Sequence, residues 1–333
     1  MTLQAEIISR QTKKALLHVE YLKTYYPLRN GLFSRRTGHI KAVDDVSLTL
    51  YKGETLGLVG ESGCGKSTIG RSIMRLEQPY SGRILFDGED ITHFPVHRMK
   101  HVRTRMQMIF QDPFASLNPR IRICDALAEP LMVHKRVRRS ETQREVAALL
   151  QMVGLPRSTS NRYPHELSGG QRQRIVIARA IALRPKLIVC DEPVSALDVS
   201  IQAQILNLLQ DLQEELKFTY LFISHGMGAV KQMSTRIAVM YLGKIVELAP
   251  TQHLFRQPKH PYTQLLLHAV PSPDPTLRKP NNQILLGDVP SSIDPPSGCR
   301  FHTRCPYAQT QCRTVEPALT DGDHAVACHY PLE

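Results

Sequence analysis

Three short apolar runs punctuate the chain, and each is followed by a segment of different rhythm. The first, Thr55-Leu56-Gly57-Leu58-Val59, stops at Gly60. The second is Leu187-Ile188-Val189-Cys190, and the third is Tyr220-Leu221-Phe222-Ile223. Apolar runs of this length without polar alternation read as strands buried on both faces. After the first run, Ile69, Ile73, Met74 and Leu76 fall at helical spacing over residues 67–77, and Pro79 helps to stop that helix. After the second, Ile201, Ile205, Leu208, Leu212 and Leu216 share one face of a long helix. Buried strands alternating with helices predict an α/β fold with a parallel sheet covered on both faces. Residues before about Thr37 read as short strands and a basic loop, and residues 114–162 as mostly helical. From Pro250 periodicity fades and prolines crowd the chain: Pro258, Pro261, Pro271, Pro273, Pro275, Pro280, Pro290, Pro295 and Pro296. This change of texture predicts a main domain over residues 1–250 and an extension over 251–333.

Composition narrows the class. The 333 residues are 42% hydrophobic and 22% charged, which suits a globular protein and excludes a disordered chain, a collagen or a disulfide-dense scaffold. No run of eighteen apolar residues offers a membrane span. The first ten residues carry no apolar core of a signal peptide, so a cytosolic chain is expected. The formal net charge of +12 favours an anionic partner: nucleotide, nucleic acid or lipid head groups. The excess is concentrated in residues 97–145, with eleven Lys/Arg against five Asp/Glu, while residues 251–333 hold seven of each sign.

The sharpest chemistry lies just after the first strand. Gly60-Glu61-Ser62-Gly63-Cys64-Gly65-Lys66-Ser67-Thr68 fits G-x-x-x-x-G-K-[ST] between a strand and a helix. Glycines let the backbone curl so that N–H groups point at phosphate oxygens, and the helix N-terminus adds partial positive charge. Lys66 is expected to bridge β- and γ-phosphates, and the Ser67 hydroxyl to ligate Mg²⁺. Asp191-Glu192 ends the second strand. Asp191 is assigned to the Mg²⁺ shell and Glu192 to general-base activation of water; an ordinary helix-start signal is the alternative for such a pair.

Further motifs resemble the ATP-binding-cassette (ABC) family. Leu167-Ser168-Gly169-Gly170-Gln171 resembles its signature motif, Ser195-Ala196-Leu197-Asp198 its D-loop, Gln111 in Phe110-Gln111-Asp112-Pro113 its Q-loop, and His225 its switch histidine. Tyr26 is placed like the aromatic that stacks on adenine, with Tyr25 as the alternative. The resemblance implies a P-loop NTPase nucleotide-binding domain with a RecA-like core, an antiparallel β subdomain and a helical subdomain over about residues 112–170. It also implies a mechanism in which two such domains close head to tail over two ATP molecules. Ser168, Gly169, Gly170 and Gln171 would grip the γ-phosphate held by the partner's loop, and Asp198 would cross the interface. Gln111 would sense the γ-phosphate and contribute to Mg²⁺ binding, and His225 would orient the γ-phosphate and water. Gly226 stands where the family usually has an acid after the histidine.

The tail is similar to that of importer ATPases for dipeptides, oligopeptides and nickel. The matching segments are His260-Pro261-Tyr262-Thr263 before Leu265-Leu266-Leu267, then Gly287-Asp288-Val289-Pro290-Ser291 and Pro295-Pro296-Ser297-Gly298-Cys299, with Ser116-Leu117-Asn118-Pro119-Arg120 further upstream. This resemblance implies an ATP-driven motor for uptake of peptides or similar solutes, at the cytoplasmic face of the inner membrane. Its implied partners are two membrane-spanning permease subunits, a second and related ATPase, and indirectly a solute-binding protein. A cassette ATPase acting on ribosomes or nucleic acid is the rival, disfavoured by a single phosphate loop and the lack of a coiled-coil insertion; no nucleic-acid partner is expected. A metal or redox sensor using ATP only structurally is a third reading.

Cys299, Cys305, Cys312 and Cys328 crowd the tail at spacings C-x5-C, C-x6-C and C-x15-C. Disulfides are disfavoured in a cytosolic chain, and a zinc ribbon would show C-x2-C pairs. Four thiolates suit an iron–sulfur cluster, and the importer resemblance implies a four-iron four-sulfur one. Zinc, with His302, His324 or His329 as stand-in ligands, and plain thiols stay open.

Overall fold

The computed structural model describes residues 14–30, 35–134, 136–138, 140–269 and 288–333. Pro271, Pro273, Pro275, Pro280, Gly287 and the first ten residues lie outside these. In chain order the strands are β1 (Ala15–Asn30), β2 (Arg35–Tyr51), β3 (Thr55–Val59), β4 (Ser81–Phe86), β5 (Glu89–Asp90), β6 (Met106–Ile109), β7 (Leu187–Asp191), β8 (Thr219–Ile223), β9 (Arg236–Tyr241), β10 (Lys244–Pro250) and β11 (Ala325–Val326). The longer helices are α1 (Lys66–Ile73), α2 (Val96–Arg105), α3 (Ile123–Val133), α4 (Thr142–Met152), α5 (Gly169–Ile181), α6 (Val199–Leu216), α7 (Met227–Met233) and α8 (Pro261–His268). The chain forms two compact units, neither continuous in sequence.

One unit is built mainly from His93–Ile223. Its strands β6, β7 and β8 are parallel, with Met106 opposite Leu187 and Leu187 opposite Thr219. β7 and β8 are buried at every position, as their unbroken apolar runs demand. The predicted helical stretch is present as α3, α4 and a 3₁₀ turn at Arg157–Asn161, with a second such turn at Pro164–Glu166 and α5 following. α6 buries Ile205, Leu208 and Leu212 on the predicted face, and Lys217 ends it in the left-handed conformation at φ 57°.

The other unit holds His18–Thr49, Leu56–Thr92 and Ser224–Glu333. β3 runs parallel to β9, β9 antiparallel to β10, and β10 antiparallel to β11. A second sheet has the order β2-β1-β4-β5. Two expectations need correction. The early strands are long rather than short, because Leu17 and Val19 in β1 and Val46, Leu48 and Leu50 in β2 alternate with polar residues along their length. The helix expected over 67–77 ends at Ile73. Arg75 turns left-handed at φ 54°, and the Leu76 N–H bonds back to the Arg71 carbonyl, so Leu76 is left exposed.

A buried carboxylate helps to tie the C-terminal segment into this unit. Glu247 in β10 is fully buried and accepts hydrogen bonds from the N–H groups of Lys259 (2.8 Å) and His260 (2.9 Å) and from His324 Nε2 (2.6 Å). Burial pushes its pKa up, but the His324 and backbone bonds outweigh that and hold it below the usual carboxylate range. A depressed native pKa gives stability that is present above the unfolded-state value and lost as pH falls through the native one. Glu247→Ala strands three donors, the His260 N–H among them buried, and should cost about 3 kcal/mol in urea unfolding at neutral pH. The deficit relative to wild type should shrink in acid.

Candidate nucleotide site and cysteine cavity

The phosphate loop joins β3 to α1 through glycines that no other residue can replace without moving backbone. A Cβ on Gly60 would lie 2.2 Å from the Met240 carbonyl oxygen, and one on Gly65 would lie 2.0 Å from that of Ala42. Gly65 also sits at φ 106°, a region closed to most side chains. Within the loop Lys66 is buried, and its Nζ donates to the carbonyl oxygens of Gly60 (2.8 Å) and Glu61 (2.9 Å). A buried ammonium needs such acceptors, so the loop backbone fixes the cation in place. Gly65 caps α1 without a side-chain hydrogen bond. The helix start at Lys66, Ser67 and Thr68 carries the positive end of the helix dipole. Ser62 and Gly63 form the exposed crown of the loop, and Cys64 beneath it is buried. Burial raises the Cys64 thiol pKa against the pull of Lys66.

The two candidate adenine aromatics differ in their commitments. The Tyr25 hydroxyl donates to the Asp44 carboxylate, and its ring stacks on Tyr80 at 4.9 Å between centroids. Tyr25 thus serves the fold, and Tyr26 beside it is half-buried. His225 is exposed just after β8. Gly226, in the place of the usual acid, caps α7 through its backbone, and its N–H donates to Ser224 Oγ at 3.0 Å. The turn that an acid would cap is thereby tied by a serine two residues earlier.

In the other unit Asp191 ends β7 and is buried. Glu192 follows at φ 49°, an uncommon conformation for a non-glycine residue, with its N–H bonded to the Ile223 carbonyl at 3.0 Å. Gln111 Nε2 donates to Glu192 Oε2 at 3.1 Å. Two residues assigned separate roles from sequence are thus joined directly. The signature turn is a capping box. Ser168 Oγ accepts from the Gln171 N–H at 3.3 Å, and Gln171 Oε1 accepts from the Ser168 N–H at 3.1 Å. Ser168 is exposed, with Gly169 and Gly170 half-buried at the start of α5. A Cβ on Gly170 would lie 2.7 Å from Ile201 Cγ2, so this glycine is also needed for α5 to approach α6. Asp198 caps α6 with no side-chain bond and is exposed.

Cys299, Cys305, Cys312 and Cys328 line one cavity with His260 and Phe301 among its walls. All seven cysteines are free thiols. Burial pushes the Cys299 thiol up to about 11, and the neighbouring thiols add to the shift. Among the described residues no group of three or more His, Cys, Asp or Glu is drawn together so as to hold a metal ion. All three stand-in histidines have other partners: His302 Nδ1 meets the Cys299 carbonyl at 2.9 Å, His324 meets Glu247, and His329 Nε2 meets the Val315 carbonyl at 2.9 Å. Residues outside the motifs also reach the phosphate loop. Tyr262 and Arg304 both bond Glu61. Sequence marked Tyr262 only as part of the tail resemblance and gave no signal for Arg304.

Comparison with known proteins places these features. The description "ABC transporter" matches residues 43–195, and "Oligopeptide/dipeptide transporter, C-terminal region" matches residues 246–312. The oligopeptide transport ATP-binding protein AppF of Bacillus subtilis is 51% identical over 95% of this chain and 98% of its own length. The oligopeptide transport ATP-binding protein OppF of Salmonella typhimurium is 50% identical over 96% and 97%. Among solved structures, the dimeric post-hydrolysis state of the ATP-binding cassette MJ0796, bound to ADP and Pi, aligns with TM-score 0.63 and 26% identity, covering 71% of this chain and 98% of that one.

Tyr26→Ala should weaken ATP binding about tenfold, the loss of one stacking contact, with little change in thermal unfolding. Tyr25→Phe should do the reverse. Calorimetric binding and melting of the two variants check this, and a large affinity loss in Tyr25→Phe alone would reverse the assignment.

Proposed function

This chain belongs to the ATP-binding subunits of oligopeptide ABC transporters, and from that premise we propose that it grips ATP between itself and a second cassette to drive peptide import. It is an ATP-hydrolysing motor subunit. The observation that carries the reading is the phosphate loop: a buried lysine held by loop carbonyls beside a helix start that no side chain caps. Such a loop is a pre-formed anion site. In this reading the loop residues Gly60, Ser62, Gly63, Cys64, Gly65, Lys66, Ser67 and Thr68 wrap the triphosphate, and Tyr26 stacks on adenine. Ser67 in one unit, and Asp191 and Gln111 in the other, are each assigned as Mg²⁺ ligands; the bound ion would neutralise charge on the phosphate oxygens. Glu192 takes the proton from the attacking water, with Gln111 holding its carboxylate, and His225 orients the γ-phosphate.

The exposed turn at Ser168, Gly169, Gly170 and Gln171 suits a grip on nucleotide bound to another subunit, with Asp198 reaching across. The dimeric cassette MJ0796 bound to ADP and Pi supports this arrangement. We take the second cassette to be a related chain. Among the described residues no helix is long and apolar enough to cross a membrane. Attachment to the cytoplasmic face of the inner membrane would come from two permease subunits, received by the helical region of residues 112–170, with a solute-binding protein delivering peptide on the far side. The basic surplus of residues 97–145 suits an anionic lipid surface, at about 1 kcal/mol per basic residue. Residues 251–333 form the importer-type extension. Although these thiols are not drawn together to hold a single metal ion, all four line one cavity and offer the donor set of a four-iron four-sulfur cluster, and on the importer resemblance we assign Cys299, Cys305, Cys312 and Cys328 to it.

Glu192→Gln should bind ATP but lower turnover about 10²–10⁴-fold, the usual contribution of a positioned base. Unchanged turnover would remove Glu192 from that role. Protein purified without oxygen should be brown and carry about four irons per chain. Colourless protein holding zinc would exclude the cluster.

A further inference from the structure

The phosphate loop is held from outside as well as from within. Glu61, the residue after Gly60, receives both arms of Arg304: Nη1 to Oε2 at 2.7 Å and Nη2 to Oε1 at 3.0 Å. This is the paired, planar geometry that makes Arg–carboxylate contacts strong and directional. Arg304 is buried, and its guanidinium also meets the Tyr241 hydroxyl at 3.4 Å. The N–H of Glu61 donates to the Tyr262 hydroxyl at 2.9 Å. Tyr262 is itself fixed, with its ring packed 4.7 Å from Tyr241 and 5.4 Å from Phe301 between centroids. Both the backbone and the carboxylate of Glu61 are therefore tied to residues of the C-terminal extension, Arg304 from 243 positions away. Every residue named lies in one compact unit.

We propose that Arg304 and Tyr262 are positioning residues for nucleotide binding, clamping Glu61 so that the phosphate loop keeps its curl and meets the triphosphate with the Glu61 charge already neutralised. The extension is then a part of the nucleotide site, and nucleotide affinity is set partly from outside the cassette motifs. The physical consequence has a sign. An unpaired Glu61 carboxylate repels an anion in proportion to its charge, so freeing it should penalise ATP more than ADP and ADP more than AMP. Removing both partners of a buried pair is far milder than removing one, because no lone charge remains.

The inference rests on residues 60–68 being the triphosphate site, and the test separates the two. Equilibrium binding of ATP, ADP and AMP to the full chain would be compared for wild type, Arg304→Gln, Glu61→Gln, the double variant and Lys66→Ala. Arg304→Gln should lose ATP affinity about tenfold, with a graded smaller loss for ADP and AMP, and the double variant should recover to within about threefold of wild type. Arg304→Lys, which keeps the charge but not the paired geometry, should fall between, and it carries the test with the double variant should Arg304→Gln not fold. Wild-type ATP affinity in Arg304→Gln, or equal loss for all three nucleotides without recovery in the double variant, overturns the proposal. If wild type binds ATP and Lys66→Ala does not, such a result leaves the nucleotide site standing. If Lys66→Ala binds ATP like wild type, the nucleotide site itself falls.

Discussion

A buried ammonium must be surrounded by acceptors, and a helix start must have its N–H groups met by something. Both requirements fall on the same few residues here. Lys66 is held by the carbonyls of Gly60 and Glu61, and α1 begins at Gly65 without a side-chain cap. The loop is thus shaped to receive an anion at its helix start. The conformations of Gly60 and Gly65 follow from this, since any Cβ there would strike a backbone carbonyl. A phosphate group is the natural partner of such a helix start beside a lysine, and the proposed ATP site is built on it.

The C-terminal extension belongs to the same argument. Its strand β11 pairs with β10, and Glu247 binds it through His324. Arg300 bonds the Asp44 carboxylate and the Leu242 carbonyl, while Arg304 takes Glu61. Arg300 follows Cys299 and Arg304 precedes Cys305, so the two arginines adjoin cysteines that line the cavity.

What could be read from sequence divides along a physical line. Features set by local chemistry were legible. The phosphate loop announces itself by glycines and a lysine at fixed spacing, β7 and β8 by unbroken apolar runs, and α6 by its stripe of Ile and Leu. The exposed turn at Ser168 was legible through motif resemblance. Features set by pairing across long separations were not. Nothing near Glu61 indicates that a guanidinium at Arg304 will seize it, and nothing near Glu247 indicates His324. Some local signals were present but weak. The alternation of Val46, Leu48 and Leu50 with Ser47 and Thr49 marks β2, yet Asp45, left-handed at φ 64° within the continuous strand, blurs the period just before it. Arg75 ends α1 early for a similar reason: left-handed caps on ordinary residues leave little trace in sequence.

The central claim is that two separate helix starts, at Lys66 and at Gly169, work on nucleotide, the first on the chain's own and the second on a neighbour's. Amide hydrogen exchange resolves them in one experiment. With ATP and a turnover-deficient chain, amides of residues 60–68 should be protected at any protein concentration, whereas those of residues 168–171 should gain protection only where the cassettes associate. Protection of 168–171 independent of association, or none under any condition that assembles the pair, would contradict the account.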